Sequence, residues 1–175
     1  MGISRFRPGY GEIAKTLEEL ASYANVHVMS APRLATGAGY SGTPLVRKLG
    51  FREGMRVHYV SAPEHLDALI GELPDGVRVL KRPAANLDLA LLFVTERAAL
   101  GRGLQTLQPR LRPAGMIWVA WPKRASKVPT DVTEDVVREV ALPRGLVDVK
   151  VCAIDEVWSG LKLVIRKELR AEPGP

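Results

Sequence analysis

Only one cysteine, Cys152, occurs in 175 residues, so an internal disulfide and every multi-cysteine zinc pattern are excluded. Histidine is almost as scarce. His27, His58 and His65 show no metal-ligand spacing such as H-E-x-x-H, and a dedicated metal site is not expected. Long apolar runs are missing too: the longest, Leu89 to Val94 and Met116 to Trp121, fall far short of the roughly 20 residues that cross a bilayer. No membrane partner is therefore expected. Aromatic residues make up 6% of the chain, and the 25 basic residues are interleaved with 19 acidic ones. A nucleic-acid groove gathers its cations on one face with aromatics between them, so nucleic acid is not the expected partner either. Arg5 and Arg7 are not followed by an apolar core and cleavage site, which speaks against a signal peptide and for the cytoplasm.

What is present is an ordinary globular composition, 46% hydrophobic and 25% charged, in a length that suits one domain with a proper core. Gly11 to Asn25 places Ile13, Leu17, Leu20, Ala21 and Ala24 at helical spacing, and residues 26–38 read as a linker. Residues 1–37 are thus an appended helix and linker, with Met29 an alternative start; 38–169 are one α/β domain, and 170–175 a tail. An apolar helix on a loose linker invites exchange between chains, so a homo-oligomer is one expectation.

Within the domain, Thr43 and Pro44 read as the cap and first residue of a short helix ending at Gly50. Met55 to Val60 is the first strand. Leu66, Leu69, Ile70 and Leu73 give the next helix its apolar face, and Pro74-Asp75-Gly76 turns into a second strand, Val77 to Leu80. Leu87 to Val94 is a run apolar enough for a strand covered on both faces. Thr95 is placed to cap the helix after it. Pro113-Ala114-Gly115 reads as a turn into the next buried run, Met116 to Trp121, and Asp131 with Glu134 as a capping box for a helix ended by Pro143-Arg144-Gly145. Leu146 to Ile154 and Leu161 to Arg166 alternate like a hairpin. Strands alternating with helices predict a Rossmann-like α/β fold: a mostly parallel sheet with helices on both faces, closed by a C-terminal antiparallel hairpin.

Leu104, Leu107, Leu111, Pro113 and Gly115, leading into MIWVAWPK, resemble the helix, turn and fifth strand of class I S-adenosylmethionine-dependent methyltransferases. The segments AGYSGTP, WPKRAS, TEDVVRE and DEVWSGLKLVIRK are similar, over residues 38–167, to a family of small bacterial proteins of unknown function. Both resemblances imply the methyltransferase-type fold, and neither brings catalytic residues with it. The cofactor motif departs from the methyltransferase pattern. Such an enzyme needs a glycine-rich turn after the first strand, where this chain has Ser61-Ala62-Pro63-Glu64. Pro63 removes an N–H donor, and Lys81-Arg82 stand where an acid would hold the ribose hydroxyls. The expectation is a methyltransferase-like protein without a bound cofactor, acting as a binding or regulatory module for a small anionic ligand or a protein partner. The alternative is an S-adenosylmethionine-dependent methyltransferase with a degenerate loop. Whether the chain is an enzyme is left open, and an open cavity above Ser61, unfilled by Pro63 and Glu64, would favour the alternative.

Ligands of an open α/β sheet bind beyond the carboxyl ends of the strands. The predicted order brings Ser61, Thr95, Trp121, Lys123, Arg124, Ser126, Asp155 and Trp158 there, with Tyr40 as a lid residue. Lys123 and Arg124 have the donors for a phosphate or carboxylate, against the alternative of a solvated loop. Asp155 is a base if desolvated, or else the cap of a turn. Trp121 and Trp158 floor a pocket or pack in the core. Hydrolytic chemistry is not indicated: no serine has a nucleophile context and no histidine an evident partner.

Overall fold

The computed structural model describes residues 42–170. The expected N-terminal helix and linker, Met29, the lid residue Tyr40 and the end of the tail lie outside the described residues.

Among the described residues the order is α1 (Leu45–Leu49), β1 (Arg56–Val60), α2 (Leu66–Ile70), β2 (Arg78–Leu80), β3 (Leu87–Phe93), α3 (Arg97–Leu107), β4 (Leu111–Pro122), α4 (Glu134–Ala141), β5 (Leu146–Ala153) and β6 (Trp158–Ile165). One six-stranded sheet runs β2-β1-β3-β4-β6-β5. The first four strands of that order are parallel neighbours, and β4, β6 and β5 are antiparallel. The expected fold class is therefore observed: α/β, mostly parallel, with the closing hairpin.

The central strands are buried on both sides because their side chains alternate between two cores. Ala90 and Leu92 of β3, Ile117 and Val119 of β4, and Leu161 and Leu163 of β6 face α3 and α4, which contribute Leu100, Leu104, Leu107, Val137 and Ala141. On the other face, Leu89, Leu91, Met116 and Trp118 pack with Leu45 and Leu49 of α1 and with Leu66 and Ile70 of α2. Trp118 is fully buried, and its indole Nε1–H donates to the Leu49 carbonyl at 2.8 Å, pinning α1 to the sheet.

Several segments depart from what their local sequence suggests. Pro113-Ala114-Gly115 lies inside β4 and makes no turn; the register with β3 shifts between Leu87 and Leu89, so the residues that resemble a turn form an irregularity in a long strand. Helix α1 begins after Pro44, with no side-chain cap from Thr43. Helix α2 stops at Ile70, short of Leu73. Thr95 does not cap α3. Its carbonyl instead accepts from Thr130 Oγ1, and the first N–H of α3, that of Arg97, is met by Asp131 Oδ1 at 2.6 Å. Asp131 thus serves a helix other than the one it precedes, and α4 is capped by Thr133, whose hydroxyl accepts from Val136 N.

Candidate functional site

The chain leaves β1, crosses to β2 on one side and returns to β3 on the other, so the strand order reverses between β1 and β3. A crevice opens at such a switch point, beyond the carboxyl ends of the two strands. Two cavities occupy it. One, of about 280 Å³, is lined by Ser61, Phe93, Val94, Thr95, Glu96, Ala99 and Trp158. The other, of about 360 Å³, runs from the same rim down the face of β1 and β3 toward α3 and takes in His58, Val60, Pro83, Leu92, Arg102 and Thr106.

Ser61 lies on both cavities and adopts φ +52°, a left-handed backbone in a residue other than glycine. Such strain persists only where the surroundings enforce it. The turn therefore has the shape that a glycine would give, while carrying a side chain. Pro63 and Glu64 line neither cavity. The space above Ser61 is open.

A close approach makes the larger cavity's back wall. Gly103 brings α3 down onto β3; a Cβ there would fall 2.6 Å from Leu92 Cδ2. His58 is 6% exposed, and its Nδ1 lies 2.7 Å from the Leu80 carbonyl, its register partner on β2. A carbonyl only accepts, so Nδ1 carries the proton.

At the hairpin end, Asp155 is 7% exposed and fully engaged. Its Oδ1 accepts from Val157 N at 2.8 Å and Trp158 N at 2.6 Å, and its Oδ2 lies 2.9 Å from His65 Nε2. Lys123 reaches the Asp155 backbone carbonyl, not the carboxylate, with Nζ at 2.6 Å. Trp158 stands edge-on to Phe93 with ring centroids 5.1 Å apart.

The sequence-derived candidates thus divide. Ser61, Thr95 and Trp158 meet at one cavity. Asp155 lies beside them as the cap of the hairpin and the partner of His65. Trp121 is buried in the core under α3 and α4 and lines neither cavity. Lys123 is tied to the hairpin; Ser126 Oγ donates to the Lys123 carbonyl at 2.6 Å and so closes its own loop, and Arg124 is exposed. His58, His65 and Arg102 were not among the candidates. His58 could have been found from its place in β1, beside the reversal of strand order; the His65–Asp155 pair, ninety positions apart, leaves no local signal.

Among the described residues no group of three or more His, Cys, Asp or Glu side chains is placed to hold a metal ion, and no helix is long and apolar enough to cross a membrane.

The sheet order and the crevice define an open α/β protein of the Rossmann-like class. Among solved structures, the chain is similar to a SAM-dependent methyltransferase from Aquifex aeolicus, at 16% identity and a TM-score of 0.52 over 69% of this chain and 88% of that one. It is similar also to DhpI, solved as a complex with SAH, at 10% identity and a TM-score of 0.50 over 70% and 82% of the two chains. No protein-family model matches the sequence, and no curated protein matches it. The fold is methyltransferase-like.

Proposed function

We propose that this chain is a small-molecule-binding module on a methyltransferase-like fold, with a crevice altered to take an anionic ligand in place of S-adenosylmethionine. The observation that carries this reading is the rim of the switch-point crevice. An acid after the second strand holds ribose hydroxyls in nucleotide-binding sheets, and a basic side chain there accommodates a phosphate. Here Lys81 and Arg82 follow β2 directly at its carboxyl end, both exposed, and Arg102 of α3 lines the larger cavity, as does Pro83, the residue after them. No carboxylate among the described residues forms an ion pair with any of the three. The loop after β1 supports the same reading: Ser61 puts a side chain where a glycine would let the backbone approach a cofactor, and Pro63 has no N–H to offer. Lys123 and Arg124 remain a second place for the anion.

Calorimetric titration of the full chain with S-adenosylmethionine, S-adenosylhomocysteine and a panel of phosphorylated metabolites tests the proposal. Heat from phosphorylated compounds and none from the two sulfur compounds is the expected result.

A second reading, a methyltransferase with a degenerate loop, is favoured by one observation: the 280 Å³ space above Ser61 is not filled by Pro63 or Glu64. Retention of labelled S-adenosylmethionine by the chain would establish it over the first.

A further inference from the structure

We propose that the 360 Å³ cavity between β1, β3 and α3 takes a mononucleotide, the base seated against His58 and the phosphate at Arg102; this rests on the anionic-ligand reading above and names the ligand's class. The argument begins with His58. Its Nδ1–H is used by the Leu80 carbonyl, and no protein group among the described residues hydrogen-bonds its Nε2. Nor is that nitrogen sealed away: the buried, partnerless side-chain polar atoms among the described residues are Arg56 Nε and Tyr59 OH. A residue 94% buried that lines a cavity and keeps a free ring nitrogen opens that nitrogen onto the cavity. With the proton fixed on Nδ1, Nε2 presents a lone pair. It selects a ligand with an N–H or O–H donor.

The rest of the wall sets the shape. Val60, Leu92, Phe93, Val94 and Leu107 are apolar, and Ala99 and Gly103 keep the helix side flat. The volume is about that of a dozen waters at ~30 Å³ each, enough for one ring system with its substituents. An apolar slot with one inward acceptor suits a heteroaromatic ring that bears an N–H. At the mouth, Arg102 is exposed and without a carboxylate, and Pro83, on the same wall, follows Lys81-Arg82. A guanidinium binds a phosphate through paired N–H donors. Ring, inward N–H and outward phosphate together describe a nucleobase joined to a phosphate.

The experiment is calorimetry and amide-shift mapping of the full chain with AMP, GMP, CMP and UMP, beside ribose 5-phosphate, inorganic phosphate and S-adenosylmethionine. Two variants accompany it. Arg102→Gln removes the charge at an exposed position. His58→Asn keeps a donor for the Leu80 carbonyl and deletes Nε2. The proposal expects at least one mononucleotide to bind more tightly than ribose 5-phosphate, with shifts at Ser61, Val94 and Gly103. Each variant is expected to weaken it about tenfold or more, the size of a lost charged or buried hydrogen bond. Ribose 5-phosphate or phosphate binding as tightly as every mononucleotide overturns the proposal while leaving the anionic-ligand reading intact. Binding of S-adenosylmethionine alone, or of nothing, overturns both. Mononucleotide binding that neither variant weakens overturns this site.

Discussion

His65 and Asp155 meet across ninety positions of chain, Nε2 to Oδ2 at 2.9 Å, and the contact ties the loop after β1 to the β5–β6 hairpin. The two residues contribute unequally. Asp155 also holds the N–H groups of Val157 and Trp158, whereas the His65 side chain is 55% exposed. Asp155→Ala strands two backbone donors and is expected to cost about 3 kcal/mol. His65→Ala removes one half-exposed bond and should cost about 1 kcal/mol. Urea midpoints of the two variants give the comparison. Equal losses would mean that the hairpin does not depend on the Asp155 cap.

Trp118→Phe tests how α1 is held. The indole donates to Leu49, and the helix has only five residues, too few to persist without its contacts. A phenyl ring keeps part of the packing but strands the Leu49 carbonyl and leaves a void. The expected loss is about 2 to 3 kcal/mol. Amide exchange should speed up in Leu45–Leu49 ahead of the central strands; uniform acceleration would place the damage in the sheet instead.

Two glycines of the β3–β4 region should respond differently to alanine. A Cβ at Gly115 would lie 2.7 Å from the Leu87 carbonyl oxygen and 3.0 Å from that of Arg112, both backbone atoms. They cannot turn aside, and Gly115→Ala is expected to cost about 2 kcal/mol or more. At Gly103 the clash is with the Leu92 side chain, both methyls and Cγ, which can shift where a backbone cannot, and alanine recovers about 1 kcal/mol of helix propensity. Gly103→Ala should therefore be the milder change, by thermal or urea unfolding. It should also narrow the cavity that α3 walls.

The parts of the fold legible in the sequence were those carried by runs of neighbours. Leu87–Phe93 is a buried strand because nearly every side chain in it is apolar, and that holds whatever surrounds it. Readings that depended on one residue's local chemistry fared less well. Pro113 and Gly115 suit a turn and a strand irregularity alike, and only pairing with β3 decides between them. Asp131 fits a capping box, yet its carboxylate reaches Arg97, thirty-four positions earlier, because α3 and α4 lie side by side. The candidate site shows the same division. Ser61 and Thr95 follow from the strand ends, and the sheet topology brings them together. His65 with Asp155 arises only once two loops cross the sheet edge, and Ser61's left-handed backbone cannot be read from a residue that seldom adopts it.

Tyr59 is expected to lower stability in strong alkali. Its hydroxyl is buried without a partner, and burial first, then the negative charge of Asp67, pushes it up from 10.0 to about 12. Above pH 10 the unfolded chain releases a proton that the folded chain still holds, so stability falls with rising pH until about 12. Lys162 acts in the opposite sense. Burial, then Arg52 and Lys150, depress its ammonium below 10.5, so the folded protein sheds that proton first and gains stability as pH rises toward 10.5. Burial pushes the Cys152 thiol up from 9.0, so it adds an alkaline loss that begins at lower pH than that of Tyr59. Tyr59→Phe removes the titrating group and an orphaned hydroxyl whose burial costs on the order of 1 kcal/mol. The variant should be more stable than the parent at pH 8, and the fall between pH 10 and 12 should flatten. Urea unfolding at pH 8, 10 and 11 measures both effects, and a variant that declines in step with the parent would move the cause of the alkaline loss away from Tyr59.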